Sequence, residues 1–268
     1  MIENFQFKDE YNIEDLINIV SILRSPNGCP WDREQSHKSI RRDFLEETYE
    51  VIEAINKDSE EMLREELGDV LLQVVFHSQI ETEKGTFNFS DVANDICKKM
   101  IERHPHVFGS VVAKNSDDVL ENWDAIKKQT KNQKTQTESM LSIPREFPAL
   151  MRADKVQKKA RKVGFDWDNF DDAFKKVDEE SNELLEAIKE NDENHIKEEY
   201  GDLLFALVNV SRFIKVDSEE ALTNATDKFI NRFSKVENLA KEKGIDMKKA
   251  SLSELDRLWD IVKKSEKK

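Results

Sequence analysis

The chain has 268 residues, enough for one or two domains, and 37% of them are charged, with a formal net charge of −14. Such an anionic surface argues against nucleic-acid binding as the primary role, and an anionic substrate would have to arrive with its own cation. No apolar stretch reaches the ~18 residues of a membrane span, the N-terminus lacks a secretory signal, and the two cysteines, Cys29 and Cys97, suit a reducing compartment, so a cytoplasmic protein without membrane partners is expected.

Only 7 Gly and 5 Pro are present and strand-like alternation is scarce, so the expected class is all-α. Ile13, Leu16, Ile17, Val20 and Leu23 mark the buried face of a first helix over 12–24, which Ser25-Pro26-Asn27-Gly28 ends. Cys29-Pro30-Trp31-Asp32 leads to a helix from about Ile40. The polar turn Asn56-Lys57-Asp58-Ser59 follows, and then a helix whose core reads almost wholly apolar from Leu67 to Phe76 and is expected to be largely buried. A further helix runs from Ser90, a good N-cap, toward Arg103, with Pro105 closing it, and a short one covers about 116–128. Residues 128–139 carry no apolar side chain, and 128–147 read as a polar, flexible linker between two domains, 1–127 and 148–268. The second domain begins with a helix over 148–162, ended by Gly164.

The rest of that domain repeats the first. Residues 44–80 recur without a gap 133 positions later, as 177–213, with fourteen of the 37 positions identical. Roughly two or three identities are expected from composition alone. Glu46, Glu47, Glu50, Glu66 and Asp69 return as Glu179, Glu180, Glu183, Glu199 and Asp202. The pattern also extends outward with small shifts. Gly28-Cys-Pro-Trp31-Asp32 parallels Gly164-Phe-Asp-Trp167-Asp168, Lys99 and Arg103 parallel Lys228 and Arg232, and Trp123 and Lys127 parallel Trp259 and Lys263.

Spacing turns the acids into geometry. Glu47 and Glu50 share one helix face, as do Glu66 and Asp69. Folded about Asp58, Glu47 comes level with Asp69 and Glu50 with Glu66; folded about Asn191, Glu180 comes level with Asp202 and Glu183 with Glu199. Four carboxylates at one height in apolar surroundings repel one another, and a divalent cation resolves the conflict. Oxygen-only ligation suits Mg²⁺ or Mn²⁺ rather than zinc. A di-iron bundle would need two Glu-x-x-His pairs, and the sequence has one, Glu34 with His37. No phosphate-binding glycine loop is present, so phosphate would have to be met by metal and by the lysines and arginines, with tryptophan able to stack on a base.

Glu-Glu-x-x-Glu followed by Glu-x-x-Asp on the next helix, in two copies, resembles the MazG family of nucleoside triphosphate pyrophosphohydrolases. Gly28-Cys-Pro-Trp-Asp, Arg103-His-Pro-His-Val-Phe108 and Lys155 through Asp168 strengthen the resemblance, which covers nearly all of the chain except the linker. The four-carboxylate pattern alone also occurs in dimeric dUTPases and phosphoribosyl-ATP pyrophosphohydrolases. The resemblance implies tandem four-helix modules, homodimeric assembly, Mg²⁺, and hydrolysis of nucleoside triphosphates between the α- and β-phosphates with broad tolerance of the base, a house-cleaning activity on the nucleotide pool. It implies metal on Glu180, Glu183, Glu199 and Asp202, nucleotide contacts from Lys176, Lys228, Arg232, Trp259 and Lys263, and most of the activity in the C-terminal domain. Glu179, beside the ligands, is a candidate for orienting the attacking water, and Lys228 and Arg232 for stabilising the leaving pyrophosphate. Glu47, Glu50, Glu66, Asp69, Lys99, Arg103, Trp123 and Lys127 form the corresponding N-terminal set. Lys176 has Asp43 as its counterpart there, an anion where phosphates would come, so the N-terminal site is expected to be the weaker. The alternatives are a single-substrate pyrophosphatase of the dUTPase kind and a metal-dependent nucleotide-binding protein without turnover.

Overall fold

The protein is described from a computed structural model, which covers residues 5–111, 115, 119, 123, 126 and 135–266. Lys127 and most of the helix expected over 116–128 lie outside the described residues. The described residues are helical without strands and fall into two compact units, 1–127 and 128–268.

In the first unit, α1 (Ile13–Arg24) starts at a capping box in which Asn12 and Asp15 each bond the other's main-chain N–H. A short α2 (Pro30–Glu34) leads to α3 (Arg41–Asn56) and α4 (Glu60–Lys84), followed by α5 (Phe89–Arg103) and α6 (Pro105–Phe108). The N-cap of α5 is Asn88, not Ser90; Asn88 and Asp91 form a reciprocal box that a serine two residues later cannot make. α3 and α4 lie antiparallel, and α1 and α5 pack on α4. Val20, Ile40, Val75, Phe76 and Ile80 form the buried core, with Leu16, Ile17 and Phe89 against it. Each such side chain contributes about 1.5–3 kcal/mol on removal from water.

Gly28 is required by close approach: a Cβ there would stand 2.2 Å from the Ile22 carbonyl oxygen. The chain turns back at this point so that the Cys29 N–H bonds the Leu23 oxygen at 2.7 Å. Buried Arg24 fixes the segment that follows. Its guanidinium donates to both oxygens of Glu83, at 2.7 and 2.8 Å, and to the main-chain oxygens of Asp32 and Gln35.

The second unit begins earlier than its apolar pattern suggests. Residues 136–141, read in sequence as part of the linker, form α7 (Gln136–Leu141), capped by Thr135 and packed on α8 (Ala149–Arg161). Ser139 is fully buried and accepts from Lys159 Nζ at 2.5 Å, while Gln136 donates to the Lys159 main-chain oxygen. Small polar side chains that bond a neighbouring helix can be buried without an apolar face, which hydrophobic periodicity does not register. α9 (Phe170–Glu190) and α10 (Glu193–Phe213) form the second antiparallel hairpin around Ala173, Val177, Ala206 and Val210. α11 (Ser218–Glu242) and α12 (Leu252–Ser265) pair around Val236, Ala240, Leu258 and Val262.

The helices that read as buried all round are covered on one side only. Leu67, Leu71, Tyr200, Leu204, Phe205 and Leu207 are 38–56% exposed. Each carboxylate hairpin meets its neighbouring helices across one face, and the remaining apolar faces stay open among the described residues.

Candidate active site

Both hairpin turns place a non-glycine residue in the left-handed region at the centre of symmetry read from the sequence: Asp58 at φ 50° and Asn191 at φ 55°. Asp and Asn tolerate this conformation better than other residues with side chains. Ser59 and Asp192 then cap the returning helices, Asp192 accepting from the N–H groups of Asn194 and His195.

The turns bring the expected acids together. Ligand oxygens of Glu47, Glu66 and Asp69 lie within 4.8 Å of one another, and so do those of Glu180, Glu199 and Asp202. The fourth carboxylate of each set stands just outside the trio and is still felt there. Burial raises the Glu183 carboxyl above its ordinary value, with Glu180 and Glu199 adding to the effect and Lys176 opposing it. In the first unit, burial and then Asp69 and Glu50 raise Glu47, while burial and then Glu50, Glu65 and Asp69 raise Glu66; Glu50 is within hydrogen-bonding reach of both.

Environment separates the two sets. Glu180 is buried, and Lys176 Nζ bridges it to Glu179 at 2.6 and 2.7 Å. This double contact raises the Lys176 ammonium well above the usual lysine range. His195, one turn before Glu199, places Nε2 3.1 Å from its carboxylate. Met62 and Asp43 occupy the corresponding positions in the first unit; Arg42 pairs with Glu46 at 2.8 Å, and among the described residues no cation or imidazole pairs with Glu47, Glu50, Glu66 or Asp69. His195 was not singled out by sequence; its signal is the i, i+4 spacing to Glu199.

The basic residues form a second cluster. Lys228, Arg232 and Lys263 line one cavity of about 510 Å³ together with Glu266, and none of the four carboxylates borders it. The Arg232 guanidinium lies 5.1 Å over the Trp259 ring, whose centroid is also 5.1 Å from Phe229. Arg232 donates to Glu266 at 2.8–2.9 Å, and Lys235 donates to the other oxygen of that carboxylate at 2.8 Å. The counterpart pair repeats the stacking, with Arg103 5.7 Å over the Trp123 ring. Both tryptophans therefore hold an arginine. Glu266 is invisible to spacing arguments because it lies 34 residues from Arg232 and outside the repeat. His37, of the lone Glu-x-x-His, lies against His77 and Glu81 rather than among the carboxylates.

The model of the MazG nucleotide pyrophosphohydrolase domain matches twice, over residues 35–108 and 170–237, once across each carboxylate hairpin. The chain belongs to the MazG family. It is 44% identical over 250 residues to the nucleoside triphosphate pyrophosphohydrolase/pyrophosphatase MazG of Thermotoga maritima, covering 93% of this chain and 95% of that protein. It is 43% identical over 257 residues to a nucleoside triphosphate pyrophosphohydrolase of Escherichia coli K12, covering 95% and 98%. It is also 48% identical over 253 residues to the uncharacterized protein YabN of Bacillus subtilis, matching 51% of that longer chain. As a MazG member the chain carries the family domain in tandem, an all-α repeat.

Proposed function

We propose that this MazG protein hydrolyses nucleoside triphosphates between the α- and β-phosphates, releasing a nucleoside monophosphate and pyrophosphate, and that the C-terminal unit is the working site. The observation that carries the reading is the trio Glu180, Glu199 and Asp202 with Lys176 beside it, in a chain whose relatives bear the name of this activity. The donor set is oxygen-only and anionic, with Glu183 destabilised as a carboxylate, which fits Mg²⁺, with Mn²⁺ as a substitute. Glu180, Glu183, Glu199 and Asp202 would hold the ion, which when bound supplies charge neutralisation for the triphosphate and a more acidic water.

The chain's own residues account for the rest. Glu179 is half exposed, and its Oε1 is held by Lys176, so its other oxygen is free to accept a proton from water attacking the α-phosphorus. As the new P–O bond forms, the bond to the bridging oxygen of the β-phosphate breaks and pyrophosphate leaves with that oxygen. Lys228, Arg232 and Lys263 are suited to the growing negative charge on the leaving group, and Trp259 holds the Arg232 plane in place. The exposed Leu67, Leu71, Tyr200, Leu204 and Leu207 side chains of the hairpins support a homodimer in which a second copy covers them. Broad base tolerance and a house-cleaning role in the cytoplasm complete the reading. No helix among the described residues is long and apolar enough to cross a membrane.

The test is incubation of the purified protein with ribo- and deoxyribonucleoside triphosphates, with and without Mg²⁺, and identification of products. Monophosphate and pyrophosphate, formed only with metal, are expected. Diphosphate and phosphate would mean that the wrong bond has been assigned. Turnover of dUTP alone would favour a single-substrate enzyme, and metal-dependent binding without products a non-catalytic protein.

A further inference from the structure

We propose that the cleft between α8, the Gly164–Trp167 segment and α10 receives the heterocyclic base of the substrate, with Gln157 accepting a hydrogen bond from an exocyclic amino group. The inference rests on the function proposed above and adds where the base is read and by what chemistry.

The cavity is about 480 Å³ and is bordered by Val156, Gln157, Phe165, Trp167, Phe205 and Asn209. That size suits a small-molecule site, and so does a largely apolar wall with few polar groups. Phe165 is 82% exposed, and Trp167 and Phe205 are each 44% exposed, so aromatic faces are open to a planar ring. By contrast Trp259, the stacking candidate from sequence, is flanked by Arg232 and Phe229. The charged pair at the cleft, Arg212 with Asp166, is internally balanced, Arg212 Nη2 donating to Asp166 Oδ1 at 2.5 Å. The cleft therefore presents no unpaired cation for phosphate.

Gln157 supplies the polar signal. It is 6% exposed, and its Nε2 donates to the Phe205 main-chain oxygen at 2.7 Å. A carbonyl oxygen only accepts, so the amide orientation is fixed by its partner. Its Oε1 is then left buried without a hydrogen-bond partner among the described residues, on a side chain that lines the cleft. Buried acceptors are normally satisfied, and an N–H₂ on a planar ligand is the matching group. Position agrees: Asp202, Phe205 and Asn209 share one stripe of α10, with Phe205 about 4.5 Å and Asn209 about 10 Å along the axis from Asp202. A ribose bridges a comparable gap between an α-phosphate at the carboxylates and a base in the cleft.

The experiment compares kcat/KM for two matched pairs, ATP against ITP and CTP against UTP, in the wild type and in Gln157→Leu. The wild type is expected to accept all four but to favour each amino-bearing base by about tenfold, and Gln157→Leu to bring both ratios near one. A ratio within one protein is independent of the active fraction, so partial misfolding of the variant does not imitate the result. Trp167→Ala should raise KM for all four nucleotides together. Equal kcat/KM across each pair in the wild type, or unchanged ratios in Gln157→Leu, would overturn the base pocket and leave the pyrophosphohydrolase reading intact. A wild type that hydrolyses none of the four would overturn both. If Trp167→Ala instead halves the sedimenting mass, the cleft belongs to a second copy of the chain and the proposal fails.

Discussion

The N-terminal hairpin leaves its carboxylates to face one another, whereas the C-terminal hairpin holds a lysine among them. Both use the same turn, the same register and the same trio of acids. In the first unit Glu47 and Glu66 are pushed up chiefly by burial, with neighbouring acids adding to it, and Asp43 stands at the position equivalent to Lys176. In the second, Lys176 bonds Glu179 and Glu180, and His195 stands beside Glu199. The scaffold thus fixes where the acids are, and a few flanking residues set the charge that an anionic substrate would meet there.

The largest expected effect separates the two hairpins outright. Glu180→Gln is nearly isosteric and removes the one buried charge of the trio; it should lower kcat for pyrophosphate release at least ~100-fold, while Glu47→Gln stays within about threefold of wild type. Equal losses would break the comparison. A smaller effect tests the cation. Lys176→Asp gives the C-terminal site the N-terminal residue and should cost about 10–100-fold in kcat/KM through the lost charge-assisted contacts. In a Glu180→Gln background the reciprocal Asp43→Lys should produce a measurable rise in residual release; no rise would mean that more than this position separates the units.

The smallest effect concerns acid stability, in a network that only the first hairpin carries. Hydrogen bonds from Lys84, Thr86 and His37 hold the Glu81 carboxyl at about 2, below its ordinary value of 4.5. Because the folded value is the lower one, the stabilisation is complete above pH 4.5 and is lost as pH falls toward about 2. Isoleucine 214 stands at the corresponding place in the second hairpin. Amide exchange at pH 3 against pH 5 should therefore show the first unit loosening more than the second, and Glu81→Gln should remove the difference. A difference that persists in the variant would point to other carboxylates.

The hairpins were legible in the sequence because helix phase is local: spacings of three and four residues determine which acids share a face, and mirror symmetry about Asp58 and Asn191 identified the turns. Contacts between distant segments were not legible. No periodicity announces that Gln157 bonds the main chain of Phe205, or that Glu266 bonds Arg232. The polar tract before Pro144 read as linker because α7 is held by Ser139, Gln136 and Lys159 rather than by an apolar face. The expected burial of Leu67 and Leu71 followed from apolarity alone, which gives the tendency to be covered and not the surface that does the covering.

The turn at Asp58 and Asn191 also acts as a ruler. One residue inserted between the carboxylates and the turn would rotate the returning helix by ~100° and slide it by ~1.5 Å, carrying Asp69 or Asp202 off the shared face. The two copies bear out that intolerance in their lengths: Trp31 and Trp167 are 136 positions apart, Arg103 and Arg232 are 129 apart, and every position from 44 to 80 keeps the single spacing of 133. Additions and losses of a few residues have been absorbed on either side of the hairpin, where a loop can take up the slack, and none within it.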